Sequence, residues 1–203
     1  MNYLAIDTSG KNLTVVLNAN GVLYTYDDKE CGVNHSVALM PKIEELVEKA
    51  NFDLKDVDFF ACVVGAGSFT GIRIAVSTIK AFCVAYKKPC LSITSFDTLA
   101  YNKQGEKVLA IIDAKHDAFY VCGYDNNKVV YPPSYVDKQT LLSLEKEYAF
   151  DMMRIGTPEW EGVPYLFRKD SHFYKFAKER GQVKSITEAV EVFINIDCSI
   201  YTI

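Results

Sequence analysis

The sequence lacks an excess of basic residues. Its 203 residues include 22 lysines and arginines against 26 aspartates and glutamates, and the formal net charge is -4. Proteins devoted to nucleic acid bind it through many lysine and arginine contacts to phosphates, so this balance argues against a dedicated nucleic-acid-binding protein. No run of basic residues occurs either, so a basic patch would have to form by folding.

Patterns typical of metal sites, disulfides and nucleophilic catalysis are also missing. The six cysteines form no C-x-x-C pair, and the three histidines do not stand at metal-ligand spacing. Cys62 and Cys83 lie in apolar runs, which favours buried, reduced thiols. Because no serine-centred nucleophile elbow occurs either, we predict no metal site and no catalytic residue.

Long apolar segments and targeting signals are absent from the sequence. No stretch of about 18 uninterrupted apolar residues occurs, and the N-terminus has no basic region followed by an apolar one. We therefore expect a cytoplasmic protein without a membrane partner. Hydrophobic residues make up 49% of the chain, which suits a folded core in one large domain or two small lobes.

The chain contains an internal repeat. Residues 4–7, which end in an aspartate, correspond to residues 110–113, and the Asn20-Gly21 pair corresponds to residues 126–127 at the same offset. Asn-Gly is a strong two-residue hairpin signal because both residues tolerate positive φ. Each copy therefore predicts a strand, an aspartate turn and a hairpin, which is the layout of actin-like and sugar-kinase-like proteins.

The repeat predicts an α/β protein with two duplicated lobes, at residues 1–104 and 105–203. Asn34 or Ser36 can cap a helix that has apolar residues at helical spacing and Pro41 near its first turn. If the helix begins earlier, Pro41 must kink it. Further helices are predicted at residues 72–86, 95–101, 141–148 and 171–180, and further strands at residues 57–64, 89–93 and 152–155. Periodicity does not decide between helix and strand for the apolar tail at residues 187–203.

Two turns of small and polar residues could hold a phosphate. An aspartate after a strand can orient a metal or a water, and backbone N–H groups at a helix N-terminus can bind an anion. Ordinary turn and capping chemistry accounts for the same residue types, and both interpretations stay open. The glycine-rich loop at residues 65–71 is not a Walker A loop, because it lacks the Gly-Lys-Ser/Thr ending. The candidate residues are Asp7, Thr8, Ser9, Gly65, Gly67 and Ser68.

The predicted helix at residues 72–86 is apolar nearly all round, which indicates burial on two sides. One face carries small residues four apart, Ser77, Ala81 and Ala85, and could admit another helix at close range. That neighbour is either the preceding helix of this chain or a second protein chain.

Several motifs resemble the TsaB (YeaZ) family. The resemblance covers about residues 1 to 135, with Ala66 where the family usually has proline. The matching segments are Leu4-Ala5-Ile6-Asp7-Thr8-Ser9, His35-Ser36 followed by Leu39-Met40-Pro41, Gly67-Ser68-Phe69-Thr70-Gly71-Ile72-Arg73-Ile74, Ser95-Phe96-Asp97, and Asp113-Ala114-Lys115.

The resemblance implies an actin-like fold of the ASKHA type (acetate kinase, Hsp70, actin) with two duplicated βββα lobes. It also implies a non-catalytic dimerisation subunit of the complex that forms N6-threonylcarbamoyladenosine in tRNAs reading codons that begin with adenine. Such a subunit is a homodimer alone, binds and activates a TsaD-type catalytic subunit, and meets a TsaE-type ATPase and tRNA in the complex. It requires no cofactor itself, while ATP or ADP and a divalent metal act at the level of the complex.

By the same resemblance, two helices that begin near residues 35 and 70 form the partner surface. Arg73 could instead meet a phosphate, or make a local salt bridge. The candidate interface residues are His35, Leu39, Met40, Ile43, Thr70, Arg73, Ile74, Ser77 and Ala81.

Two other functions compete with the scaffold role. A small-molecule kinase or ATPase would use the cleft between the lobes, with Asp7, Ser9 and the loop at residues 65–71 on the phosphates. A protease is the other alternative, since relatives of this fold were once named glycoproteases. The sequence shows no adenosine-binding signature or second-lobe base for the first, and no metal pair or nucleophile–base arrangement for the second.

Overall fold

Two β-sheets joined by one short helix organise the chain. The computed structural model describes residues 1–28, 31, 34–101, 107–126, 128–148, 150, 152–155 and 183–184. In chain order the elements are β1 (Tyr3–Asp7), β2 (Leu13–Ala19), β3 (Val22–Asp28), α1 (His35–Ala50), a 3-10 turn (Leu54–Asp56), β4 (Phe59–Val63), α2 (Phe69–Tyr86), β5 (Cys90–Ile93), α3 (Ser95–Tyr101), β6 (Lys107–Asp113), β7 (Ala118–Asp125), β8 (Lys128–Asp137), α4 (Lys138–Tyr148), β9 (Met152–Ile155) and β10 (Val183–Lys184).

The first sheet has the strand order β10-β5-β4-β1-β2-β3. β1, β2 and β3 form an antiparallel meander, β4 runs parallel to β1, and β5 runs parallel to β4. Asn20 and Gly21 have φ values of 54° and 83°, so the predicted two-residue hairpin turn between β2 and β3 is confirmed.

The second sheet repeats part of the first. Its order is β8-β7-β6-β9, with β6, β7 and β8 antiparallel and β9 parallel to β6, which matches β3-β2-β1-β4. A helix follows the meander in each copy, α1 after β3 and α4 after β8. The predicted α/β, actin-like fold with two duplicated βββα units is therefore confirmed.

α1 and α2 cover one face of the first sheet. Leu39, Ile43 and Leu46 recur at helical spacing on α1 and are buried against that sheet, and Ala75 and Ile79 of α2 join the same core. The Ser68 side chain caps α2 by accepting from the Gly71 N–H at 3.3 Å. Asn51 and Lys87 end the two helices in the left-handed conformation.

Pro41 lies deeper in α1 than the sequence predicted. The helix begins at His35, so the proline occupies the second turn rather than the first. Proline has no N–H to donate to the carbonyl of Val37, four residues earlier. Pro41 is exposed, and so is Val37, which leaves that carbonyl on the solvent side of the helix.

α3 connects the two sheets. Thr94 and Asp97 cap it reciprocally, because the Thr94 N–H donates to Asp97 Oδ2 at 2.9 Å and the Asp97 N–H donates to Thr94 Oγ1 at 3.1 Å. Phe96 and Leu99 are buried in one cluster with Ala66 of the first lobe and with residues of β6 and β7. This helix therefore belongs to a core that both lobes share.

The predicted lobe boundary falls between α3 and β6, where the chain passes from one sheet to the other. Val183 and Lys184 pair with β5 of the first sheet, although they belong to the range predicted for the second lobe. The predicted helix at residues 171–180 and the tail at residues 187–203 lie outside the described residues.

Candidate functional site

The turn after β1 and the loop after β4 are bonded directly to each other. Asp7 Oδ1 accepts from the Ser9 N–H at 2.8 Å and from Ser9 Oγ at 2.7 Å. Thr8 Oγ1 donates to the Gly71 carbonyl at 2.6 Å, and the Ser68 N–H donates to the Ser9 carbonyl at 2.6 Å. The two predicted phosphate loops thus satisfy one another's polar groups.

Two glycines permit this close approach. A Cβ on Gly67 would collide with the Ser9 carbonyl oxygen, and a Cβ on Gly71 would collide with the Thr8 carbonyl oxygen. Gly67 also has a φ of 156°, which disfavours other residues. The glycine-rich composition of the loop follows from backbone packing against the β1 turn.

The candidate phosphate residues are largely hidden from solvent. Asp7, Thr8 and Ser9 are at most 5% exposed, Gly65 and Gly67 are buried, and Ser68 is exposed. Burial raises the pKa of the Asp7 carboxyl, and the hydrogen bonds from Ser9 oppose that rise. These bonds are of the kind that turn and capping chemistry predicts, and they occupy the Thr8, Ser9 and Asp7 side chains.

The second copy of the aspartate turn differs from the first. Asp113 is exposed, and its Oδ1 accepts from the Lys115 N–H at 2.7 Å. The hydrogen bonds from Lys115, first the backbone and then the side chain, lower the pKa of the Asp113 carboxyl. Three consecutive residues of this turn, Lys115, His116 and Asp117, have positive φ and are exposed.

A groove of about 430 Å³ runs between α1 and α2 on their outer side. Four apolar side chains of the two helices are exposed on this part of the surface, Val37 (74%), Met40 (41%), Phe69 (40%) and Val84 (56%), and of these Met40 lines the groove. We call this surface the α1–α2 face. The groove is lined by Ser36, Leu39, Met40, Thr70, Arg73, Ile74, Ser77 and Thr78.

The nine predicted interface residues divide into two groups. Met40, Thr70, Arg73, Ser77 and Ala81 are exposed on the α1–α2 face, and Ile74 is half-buried in the groove. The other three, His35, Leu39 and Ile43, are at most 5% exposed.

Those three buried residues support the α1–α2 face from beneath. They occupy the inward stripe of α1, and His35 Nε2 lies 3.0 Å from the Asn12 carbonyl in a buried hydrogen bond. Their apolar spacing in the sequence marks the core side of the helix, although Leu39 also lines the groove, and their contact with a partner stays a prediction.

Sequence reasoning missed Val37, Phe69 and Val84 as members of this surface. Each is a large apolar side chain outside the core stripe of its helix, and each is exposed. The available signal was the nearly uniform apolar character of α2, which one buried face does not explain.

α2 is also the helix that could cross a membrane by its length and composition, among the residues the structure describes. Its Ile72, Ala75 and Ile79 are buried in the first lobe, so one side of it belongs to the protein core. In the same described portion of the chain, no group of three or more His, Cys, Asp and Glu side chains is placed to hold a metal ion.

Comparisons with known proteins converge on one group. Residues 29–151 match the family model described as TsaD: tRNA N6-adenosine threonylcarbamoyltransferase. The tRNA threonylcarbamoyladenosine biosynthesis protein TsaB of Escherichia coli is 27% identical over 169 residues, which are 80% of this chain and 71% of that protein. The protein of the same name from Buchnera aphidicola subsp. Schizaphis graminum is 30% identical over 131 residues, and this chain spans 62% of its length.

A solved structure shares the fold. YeaZ from Pseudomonas aeruginosa superposes with a TM-score of 0.72 at 22% sequence identity, over 93% of this chain and 97% of that one. Its likeness extends across both sheets, beyond the region that the family model matches.

Proposed function

Because the chain belongs to the TsaD family, and within it to the TsaB (YeaZ) group, we propose that it is a subunit of the complex that makes N6-threonylcarbamoyladenosine in tRNA. It acts in the cytoplasm as the non-catalytic dimerisation subunit. It binds a TsaD-type catalytic subunit and activates it, for tRNAs that read codons beginning with adenine.

The α1–α2 face carries this proposal. Exposed apolar side chains lie on the two neighbouring helices that line a groove, and burial of such a surface against a partner is favourable by roughly 25 cal/mol per Å² of apolar area. Scattered single apolar residues would need no partner, but Met40 and Phe69 lie on the two helices that line one groove. We assign the groove to the TsaD-type subunit, and to a second copy of this chain when that partner is missing.

The β1 turn supports a non-catalytic role. Its aspartate is buried and bonded to Ser9, and Gly67 and Gly71 of the following loop pack closely against the backbone of the turn. This subunit accordingly requires no cofactor, while ATP or ADP and a divalent metal act elsewhere in the complex. The net charge of -4 favours tRNA contact mainly through other subunits, and a TsaE-type ATPase joins the same assembly.

Co-purification with the TsaD-type protein of the same organism tests the proposal. Ala81→Trp places a large neutral side chain on the exposed face of α2, where a close helix contact needs a small residue. We expect the complex to weaken by roughly tenfold or more. Ser143→Trp, at an exposed site on α4, is the matched control and should leave binding unchanged.

Two further measurements, tRNA modification and ATP hydrolysis, distinguish a scaffold subunit from an enzyme. Threonylcarbamoyladenosine formation in tRNA by the TsaD-type subunit should require this chain and should fall with Ala81→Trp. ATP hydrolysis by the purified chain alone, or wild-type protein that never binds the partner under any nucleotide condition, would contradict the proposed role.

A further inference from the structure

α2 carries two cations and no carboxylate, and of the cations Arg73 is exposed and Lys80 is half-buried. Residues 69–86 contain Arg73 and Lys80 but neither aspartate nor glutamate. The two cations are seven positions apart, which is close to two helical turns, so both project from nearly the same side of the helix. Arg73 is exposed and is also the one charged residue among the eight that line the groove.

These cations have no ion-pair partner in the described part of the chain. The Arg73 guanidinium lies over the Phe69 ring at 5.2 Å from its centroid, one helical turn away, and Lys80 makes no ion pair there. On α1, by contrast, Lys42 pairs with Glu45 at 2.7 Å. The stacking on Phe69 holds the Arg73 head group at the groove without neutralising it.

Two small residues lie near the cations on the exposed side of α2. Ser77 and Ala81 lie along the same exposed stripe, so a helix from a partner can approach α2 closely. Close approach removes water from Arg73 and Lys80, and a desolvated charge without a counter-charge is costly.

We propose that Arg73 and Lys80 form a cationic seam that selects a partner helix bearing carboxylates at matching positions. This inference rests on the proposed function and names the chemistry that the TsaD-type subunit presents to α2. The same seam favours such a partner over a second copy of this chain, because two copies of α2 packed together would bring four cations together with no acid on either α2 helix.

The test compares Arg73→Gln/Lys80→Gln with wild type. The affinity for the TsaD-type protein is measured at low and at physiological salt, and self-association of the chain is measured by sedimentation. We expect the double variant to bind the partner about tenfold more weakly at low salt and to lose most of the salt dependence. Its self-association should be unchanged or tighter.

Lys138→Gln/Lys146→Gln is the matched control, because it removes the same charge from exposed lysines of α4 in the second lobe. It should bind as wild type does, and thermal unfolding should show that both variants are folded.

If Arg73→Gln/Lys80→Gln binds the TsaD-type protein with the affinity and the salt dependence of wild type, the seam is overturned and the proposed function is left intact. Weakened self-association in that variant would also overturn it, because acids of a second copy, such as Glu44, would then be the counter-charges. Failure of wild type to bind would instead remove the proposed function and the seam with it.

Discussion

At the scale of single residues, the pKa values of the two repeated aspartates shift in opposite directions, upward for Asp7 and downward for Asp113. Burial raises the pKa of Asp7 in the folded protein, so folding favours its protonated form. Its contribution to stability is therefore greatest below the unfolded pKa of about 4 and declines as pH rises through the folded pKa. We predict that Asp7→Asn, which lacks the charge, is more stable than wild type at neutral pH.

The stability difference between Asp7→Asn and wild type should narrow as pH falls toward 4, in urea unfolding at a series of pH values. Asp113→Asn is the control from the other copy of the repeat. Its pKa is lowered by Lys115, so that carboxylate contributes stability above the unfolded pKa and loses it as pH falls. A constant advantage of Asp7→Asn at every pH would show that ionisation of Asp7 is not the cause.

A second residue-scale prediction concerns Gly71. It lies in the first turn of α2, where alanine would normally stabilise a helix by about 1 kcal/mol relative to glycine. The collision of a Cβ with the Thr8 carbonyl should reverse that sign, and we expect Gly71→Ala to lower the free energy of unfolding by about 2–3 kcal/mol. Gly21→Ala, which has open space but a positive φ, should cost only about 1 kcal/mol. A stabilised Gly71→Ala would mean that the two loops do not pack as described.

At the scale of elements, the sequence predicted the turns and strands whose conformation depends on residues adjacent in the chain. Local backbone preferences set the Asn20-Gly21 turn, and the alternation of apolar and polar residues sets the strands on either side. The second copy of this pattern, which begins with the strand that ends at Asp113, is visible in the sequence for the same reason. The contact of Gly67 and Gly71 with the β1 turn joins segments about 60 residues apart, which no local pattern encodes.

The candidate interface shows the same limit. Leu39 and Ile43 carry the core periodicity of α1, whereas Val37 and Met40 carry its exposed side. A family motif that spans both sides of a helix does not say which side is buried. That distinction needs the sheet beneath the helix, and the interface itself stays a prediction.

Pro41 allows an element-scale prediction. Because it lies in the second turn of α1, Pro41→Ala restores an N–H that can donate to the Val37 carbonyl. We expect the free energy of unfolding to rise by about 1–3 kcal/mol in urea titrations. Glu44→Ala, at an exposed site of the same helix, should change it by no more than about 0.5 kcal/mol. Destabilisation by Pro41→Ala would indicate that the proline contributes through the unfolded chain instead.

At the scale of the whole molecule, one buried hydrogen bond connects the lobes through α3. Tyr124 of β7 donates its hydroxyl to Asp97 Oδ1 at 3.0 Å, and Asp97 also caps α3 by accepting from Thr94. Both residues are at most 2% exposed, so water does not readily replace a lost donor. The second sheet thus helps to fix the helix that follows β5 of the first.

We predict that Tyr124→Phe lowers the free energy of unfolding by about 1–2 kcal/mol, because it removes a donor from a buried carboxylate while keeping the ring in the core. Tyr135→Phe, at a site 62% exposed, is the matched control and should be neutral. Hydrogen exchange separates a local effect from a link between lobes. If the bond joins the lobes, amide protection should fall in α3 and in β7 together. If protection falls in β7 alone, α3 is held by Phe96 and Leu99 packing, and the apolar core shared with Ala66 is what joins the two sheets.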